Sequence, residues 1–236
     1  MSGALMMHRV PLPETQTELG WYGKIPGAGD FVERRLGHAL CVAWERWMSN
    51  GLAALQQQAP RMVETHYTVA PVWNFLLPAG LGGDCVQLGA LAPSCDRVGR
   101  YYPVAAVLVL PRVEFEAALL DGAGPFYRRT GEALLAAIRH GHSPERLDAT
   151  LATIPTRWPL PRAGAGDILA VLAPGGAGEH CTAWPDLSLY FDSDGVTGFW
   201  WTHQGDGSPL QTHVHTGELN NALFARLFGP QHGVVR

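Results

Sequence analysis

Pro93-Ser94-Cys95-Asp96-Arg97-Val98-Gly99-Arg100-Tyr101-Tyr102-Pro103 lies between two apolar runs, residues 86–91 and 104–110. Both runs are short and continuous and read as buried strands. A segment with two arginines, an aspartate and two tyrosines is thereby fixed between core strands. It is either a structural clamp or a site.

Upstream, residues 19–25 read as a first strand, closed by the turn Pro26-Gly27-Ala28-Gly29 and followed by Asp30. Leu40, Trp44, Trp47, Met48, Gly51, Leu52 and Leu55 recur at three and four residues and predict one buried helix face, ended by Pro60. Residues 66–69 and 72–77 read as short strands. Downstream, 111–120 and 125–140 read as helices. A third helix starts with Ser143 as N-cap and Pro144 at its first position. Residues 155–178 read as a loop around a short strand at 168–172. A hairpin joins 187–191 to 196–202 through Asp192-Ser193-Asp194-Gly195. Residues 218–227 close the chain as a helix capped by Thr216. Strands and helices mix without strict alternation, which argues for an α/β sandwich with a mixed, partly antiparallel sheet. Residues 1–18 read as a loose arm and 19–236 as one domain.

Composition narrows the function. Apolar residues at 47% and charged ones at 16% fit a folded globular chain. A net charge of −4 supplies no basic field for nucleic acid. No apolar run approaches the roughly 20 residues of a membrane helix. Four scattered cysteines without a C-x-x-C pair fit a reducing compartment, so a cytoplasmic protein is expected. Neither a dinucleotide fingerprint nor a P-loop is present, and no cofactor is expected.

The candidate residues are Lys24, Asp30, Ser94, Asp96, Arg97 and Arg100. Guanidinium groups suit carboxylate or phosphate, so Arg97 and Arg100 either bind an anion or pair with Asp30 and Asp96 to pin two loops together. Pairing is the better reading. An enzyme or small-anion receptor at Asp30, Ser94, Asp96, Arg97 and Arg100 is the alternative. Ser94 lacks the G-x-S-x-G elbow, and Cys95 lacks an evident base, although the neighbouring arginines suit a thiolate. His213 and His215, with His203 and Asp206 nearby, have the spacing of a strand-face metal site, but a polar sheet face is preferred. Asp192-Ser193-Asp194-Gly195 opens like a calcium loop but meets Val196 and His203 where later ligands belong, so it is a turn.

Several stretches together resemble one family. Gly20-Trp21-Tyr22-Gly23-Lys24-Ile25-Pro26-Gly27-Ala28-Gly29-Asp30-Phe31-Val32, Ala70-Pro71-Val72-Trp73-Asn74-Phe75 and residues 93–103 resemble, in order and spacing, the motifs of the TagF (ImpM) proteins of type VI secretion systems. Trp44-Glu45-Arg46-Trp47 and Trp200-Trp201 are similar to further family positions. The resemblance is concentrated in residues 19–110. It implies a three-layer α/β/α sandwich and a non-enzymatic, post-translational repressor of the secretion machine. The implied partner is a forkhead-associated scaffold protein.

Overall fold

In the computed structural model, which describes residues 18–58, 60–81, 83–158, 184–203 and 209–230, side-chain alternation organises the centre of the chain. Strand β4 (Cys85–Ala92) sends Val86, Leu88, Ala90 and Ala92 into one apolar cluster and Leu91 into another. Strand β5 (Val104–Pro111) does the same, with Val104, Ala106, Leu108 and Leu110 opposite Ala105 and Val107. A sheet buried on both faces reads as a continuous apolar run, because each face has its own cover.

These strands pair antiparallel, Leu88 opposite Leu108. Around them lie β1 (Leu19–Gly23), β2 (Val32–Arg34), β3 (Trp73–Leu77), β6 (Thr197–His203) and β7 (Pro209–Thr216). The seven strands run β2-β1-β5-β4-β3-β6-β7. Every neighbouring pair is antiparallel, which corrects the expected mixed sheet. No parallel crossover is needed, since each strand reaches its neighbour by a hairpin or a longer reversal.

Helix α1 (His38–Gln58) covers one face and buries Trp44, Trp47, Met48, Leu52 and Leu55 as its spacing predicts. Two such indoles contribute several kcal/mol of transfer free energy at about 25 cal/mol per Å². Gly51 on that face leaves room for Phe224 of the last helix, a ring that a Cβ would run into. Helix α2 (Pro60–Thr65) follows α1 directly. The other face is covered by α3 (Gly124–His140) and α4 (Pro144–Ala152), which contribute Phe126, Tyr127, Leu134, Leu147 and Leu151. Ser143 caps α4 by accepting from Arg146 N, with Pro144 at its start.

Four local expectations are corrected. Residues 67–69 form a 3₁₀ turn instead of a strand, which turns Tyr67 inward. The stretch 111–120 is not an α-helix: it carries two 3₁₀ segments, Arg112–Glu114 and Ala117–Gly122. The hairpin expected at 187–202 does not form. Residues Leu187–Tyr190 make a short helix, α5, and β6 pairs with the later β7. The final helix, α6 (Asn221–Phe228), is capped by Asn220, whose Oδ1 accepts from Leu223 N at 3.0 Å, and not by Thr216. The strand expected at 168–172 lies outside the described residues.

Candidate functional site

β1 ends at Gly23, with φ of 138°, packed against the Pro103 carbonyl where a Cβ does not fit. Glycine is required there because the two loops cross in contact. The turn after β1 closes through Ala28 N to Ile25 O at 2.9 Å. The loop between β4 and β5 then docks on it, with Arg97 N donating to Ala28 O at 2.8 Å. The two motif segments therefore meet in space.

Asp96 is the hub of the junction and is 1% exposed. Its Oδ2 accepts from Lys24 Nζ at 2.9 Å and from Arg100 Nε at 2.6 Å. Its Oδ1 accepts from Val98 N at 3.1 Å and Arg100 N at 2.9 Å. Four donors fill the acceptor positions of one carboxylate. Burial alone raises the Asp96 pKa, but these bonds win and hold it well below the ordinary carboxylate range. The loop is also closed by Asp96 N to Arg100 O and Gly99 N to Asp96 O, with Gly99 in the left-handed region.

Arg100 has a second bond, from Nη2 to Gly29 O at 2.9 Å. It reaches the carbonyl beside Asp30, not the Asp30 carboxylate. Asp30 Oδ1 instead accepts from Phe31 N at 2.8 Å, the local turn-cap role. The expected pairing of Asp30 with an arginine is absent among the described residues. Asp96 takes Arg100, as expected, and Lys24 besides, and Lys24 also lies 4.7 Å from the Phe31 ring centre.

Ser94 is held by its backbone. Its N–H donates to Tyr67 Oη at 3.0 Å, and Tyr67 Oη donates back to Ser94 O at 3.2 Å. Its Oγ is buried with no hydrogen-bond partner among the described residues, so no base touches it. Burial, then the Asp96 charge, pushes the Cys95 thiol up, the opposite of what a thiolate nucleophile needs.

Arg97 differs from the rest. Its side chain is exposed, lies over Gly29 and has no ion pair or side-chain hydrogen bond among the described residues. Val98, next in the chain, is 70% exposed, and Phe31, two residues after Gly29, is 44% exposed. Phe31 is not loose: it stacks on Tyr22 at 5.9 Å and meets Tyr102 edge-on at 4.7 Å. Phe31 was not among the sequence candidates; its signal was an aromatic placed directly after a turn.

A second clamp was also missed. Asp148 on α4 accepts from Trp21 Nε1 at 2.9 Å and Arg35 Nη1 at 2.8 Å, tying the β2 edge to the helices of the other face. An acid on the polar side of a short helix carries no sequence signal of such a role.

Among the described residues no group of three His, Cys, Asp or Glu side chains is placed to hold a metal. His213 and His215 do sit on β7, but His215 Nε2 lies 2.9 Å from Glu218 O, and Asp206 falls outside the described residues. No described helix is long and apolar enough to cross a membrane.

The sequence model of the TagF N-terminal domain, type VI secretion system-associated, matches residues 20–154. The crystal structure of PA0076 from Pseudomonas aeruginosa PAO1 is similar along 93% of this chain and 97% of that one, with a TM-score of 0.66 and 26% identity. No curated protein matches the sequence. The matched span contains Lys24, Asp96, Arg100 and both loops that they join, and it exceeds half of the chain; the protein belongs to the TagF N-terminal domain family, which is associated with type VI secretion systems.

Proposed function

We propose that the protein is a non-enzymatic, cytoplasmic regulator of a type VI secretion system, repressing the machine after translation by binding a forkhead-associated scaffold protein. The carrying observation is the saturation of Asp96. A carboxylate with four donors, and a serine with no base among the described residues, make a poor acid–base pair at this cluster, whereas the same bonds make a rigid frame. On that frame Arg97, Val98 and Phe31 face solvent. An arginine beside an aromatic and an aliphatic side chain is the composition of a protein-binding hot spot. Lys24, Asp30, Ser94, Asp96 and Arg100 support this epitope and Arg97 contacts the partner. Helices on both faces of the sheet fit the three-layer α/β/α reading.

One observation favours a second reading. The open Arg97 guanidinium also suits a small anion, although Arg100 is already engaged by Asp96. A pull-down with the forkhead-associated protein from the same secretion system separates the two. Arg97→Glu is expected to abolish capture and Arg100→Ala to weaken it, with circular dichroism unchanged for Arg97→Glu. Undiminished capture by both variants removes the epitope from the interface.

A further inference from the structure

A groove of about 1100 Å³ runs along the first half of α1, on the face of the sheet away from α3 and α4. It shares no residue with the Asp96 clamp. Ala39, Ala43, Arg46 and Asn50 line it at spacings of four, three and four, so one stripe of the helix forms a wall about 17 Å long. Trp44, Leu77 and Val109 make an apolar floor.

One polar group interrupts that floor. Gln87 on β4 is 8% exposed, and its Oε1 accepts from Trp44 Nε1 at 2.9 Å. An indole N–H only donates, so this bond fixes the amide orientation and leaves the Gln87 NH₂ free. Among the described residues it has no partner, although Gln87 lines the groove. The Gln87 NH₂ opens into the groove, where a ligand acceptor can take the place of water. The start of α1 adds more donors. The N–H groups of His38, Ala39 and Leu40 precede the first intrahelical bond, from Cys41 N to Gly37 O at 2.9 Å. Its first turn has no acidic residue.

Charge decides which acceptor fits. Asp84 and Glu218 line the groove against Arg46 and His38, so the lining has no net positive charge with histidine neutral. Two carboxylates against one guanidinium disfavour an anion, whereas a neutral carbonyl needs only the donors. The volume matches the upper end of small-ligand sites, and an apolar floor with one unpaired amide donor suits a chain with a polar end. We propose that the groove binds an acyl chain carried as an amide or ester, its carbonyl oxygen accepting from Gln87 Nε2 and its hydrocarbon lying along α1.

The test uses octanamide and octanoate as probes with the full chain, followed by saturation-transfer NMR and by the fluorescence of Trp44 and Trp47. Octanamide is expected to bind saturably and octanoate more weakly. Ala43→Trp, on the exposed side of α1, fills the groove and abolishes binding. Gln87→Glu keeps an acceptor for Trp44 but removes the amide donors, and weakens octanamide roughly tenfold, the loss of one hydrogen bond. No saturable octanamide binding, octanoate binding at least as tightly, or full affinity in Ala43→Trp each overturns the proposal.

Discussion

Lys24 and Asp96, 72 positions apart, meet at 2.9 Å with side chains only 8% and 0% exposed. The pair joins the turn after the first strand to the loop between the two central strands. Arg100 lies over it from the solvent side, at 2.6 Å from the same oxygen. A buried charge with partners on both sides acts as a bolt, and its removal leaves the partners stranded.

Asp96→Ala is therefore expected to lower unfolding free energy by roughly 3–5 kcal/mol, because Lys24 is left charged and buried. Guanidinium denaturation measures this. A shift within the range of an ordinary surface substitution rejects the bolt.

Acid should expose the same pair. The Asp96 pKa is depressed in the folded protein, so its contribution is fully present above the unfolded value of about 3.9 and is lost as pH falls below it. Thermal melts from pH 6 to pH 2 should show a steep decline for the wild type and a shallower one for Asp96→Asn. Parallel curves contradict the assignment.

His203 titrates in a different window. Burial, then the Arg128 charge, lowers its folded pKa, and its ring nitrogens lie 3.3 Å from Asn74 Nδ2. The unfolded chain takes up the proton first, so stability falls as pH drops through about 6.5. His203→Gln should flatten the stability curve between pH 7 and pH 5. An unchanged slope assigns that region to other groups.

Gly51→Ala separates propensity from packing. Alanine favours the interior of α1 by about 1 kcal/mol over glycine. Its Cβ, however, enters the Phe224 ring, and overpacking of a core typically costs about 1–3 kcal/mol. A lowered melting temperature is expected, relieved when Phe224→Leu is added. A raised melting temperature for Gly51→Ala alone disproves the tight contact.

The parts legible in the sequence were those set by local pattern. The α1 face and the two central strands follow from periodicity, and the α4 start follows from a serine before a proline. What escaped was set by distant partners. Residues 187–190 alternate like a strand, but they turn as a helix while Phe191 packs on Phe115 and Phe199. The strand that β6 needs comes later, at β7. At the site, the charged residues were visible and so was the pairing of Asp96 with Arg100, but not the rest of the pattern. Arginine was expected on Asp30, whereas Arg100 reaches the Gly29 carbonyl and Lys24 takes the buried acid. Gln87 gave no signal at all, since a lone glutamine in an apolar strand does not reveal which face holds a groove.

The closing helix leaves a mark on biogenesis. Trp47 Nε1 donates to Asn220 O, and Trp73 Nε1 to Leu227 O, each at 2.9 Å. The acceptors leave the ribosome 173 and 154 residues after the indoles that they bind. The tryptophan-rich side must wait, half-built and sticky, until α6 has emerged. A nascent chain whose exposed part stops before residue 220 should be a chaperone client, and one exposed through Phe228 should not.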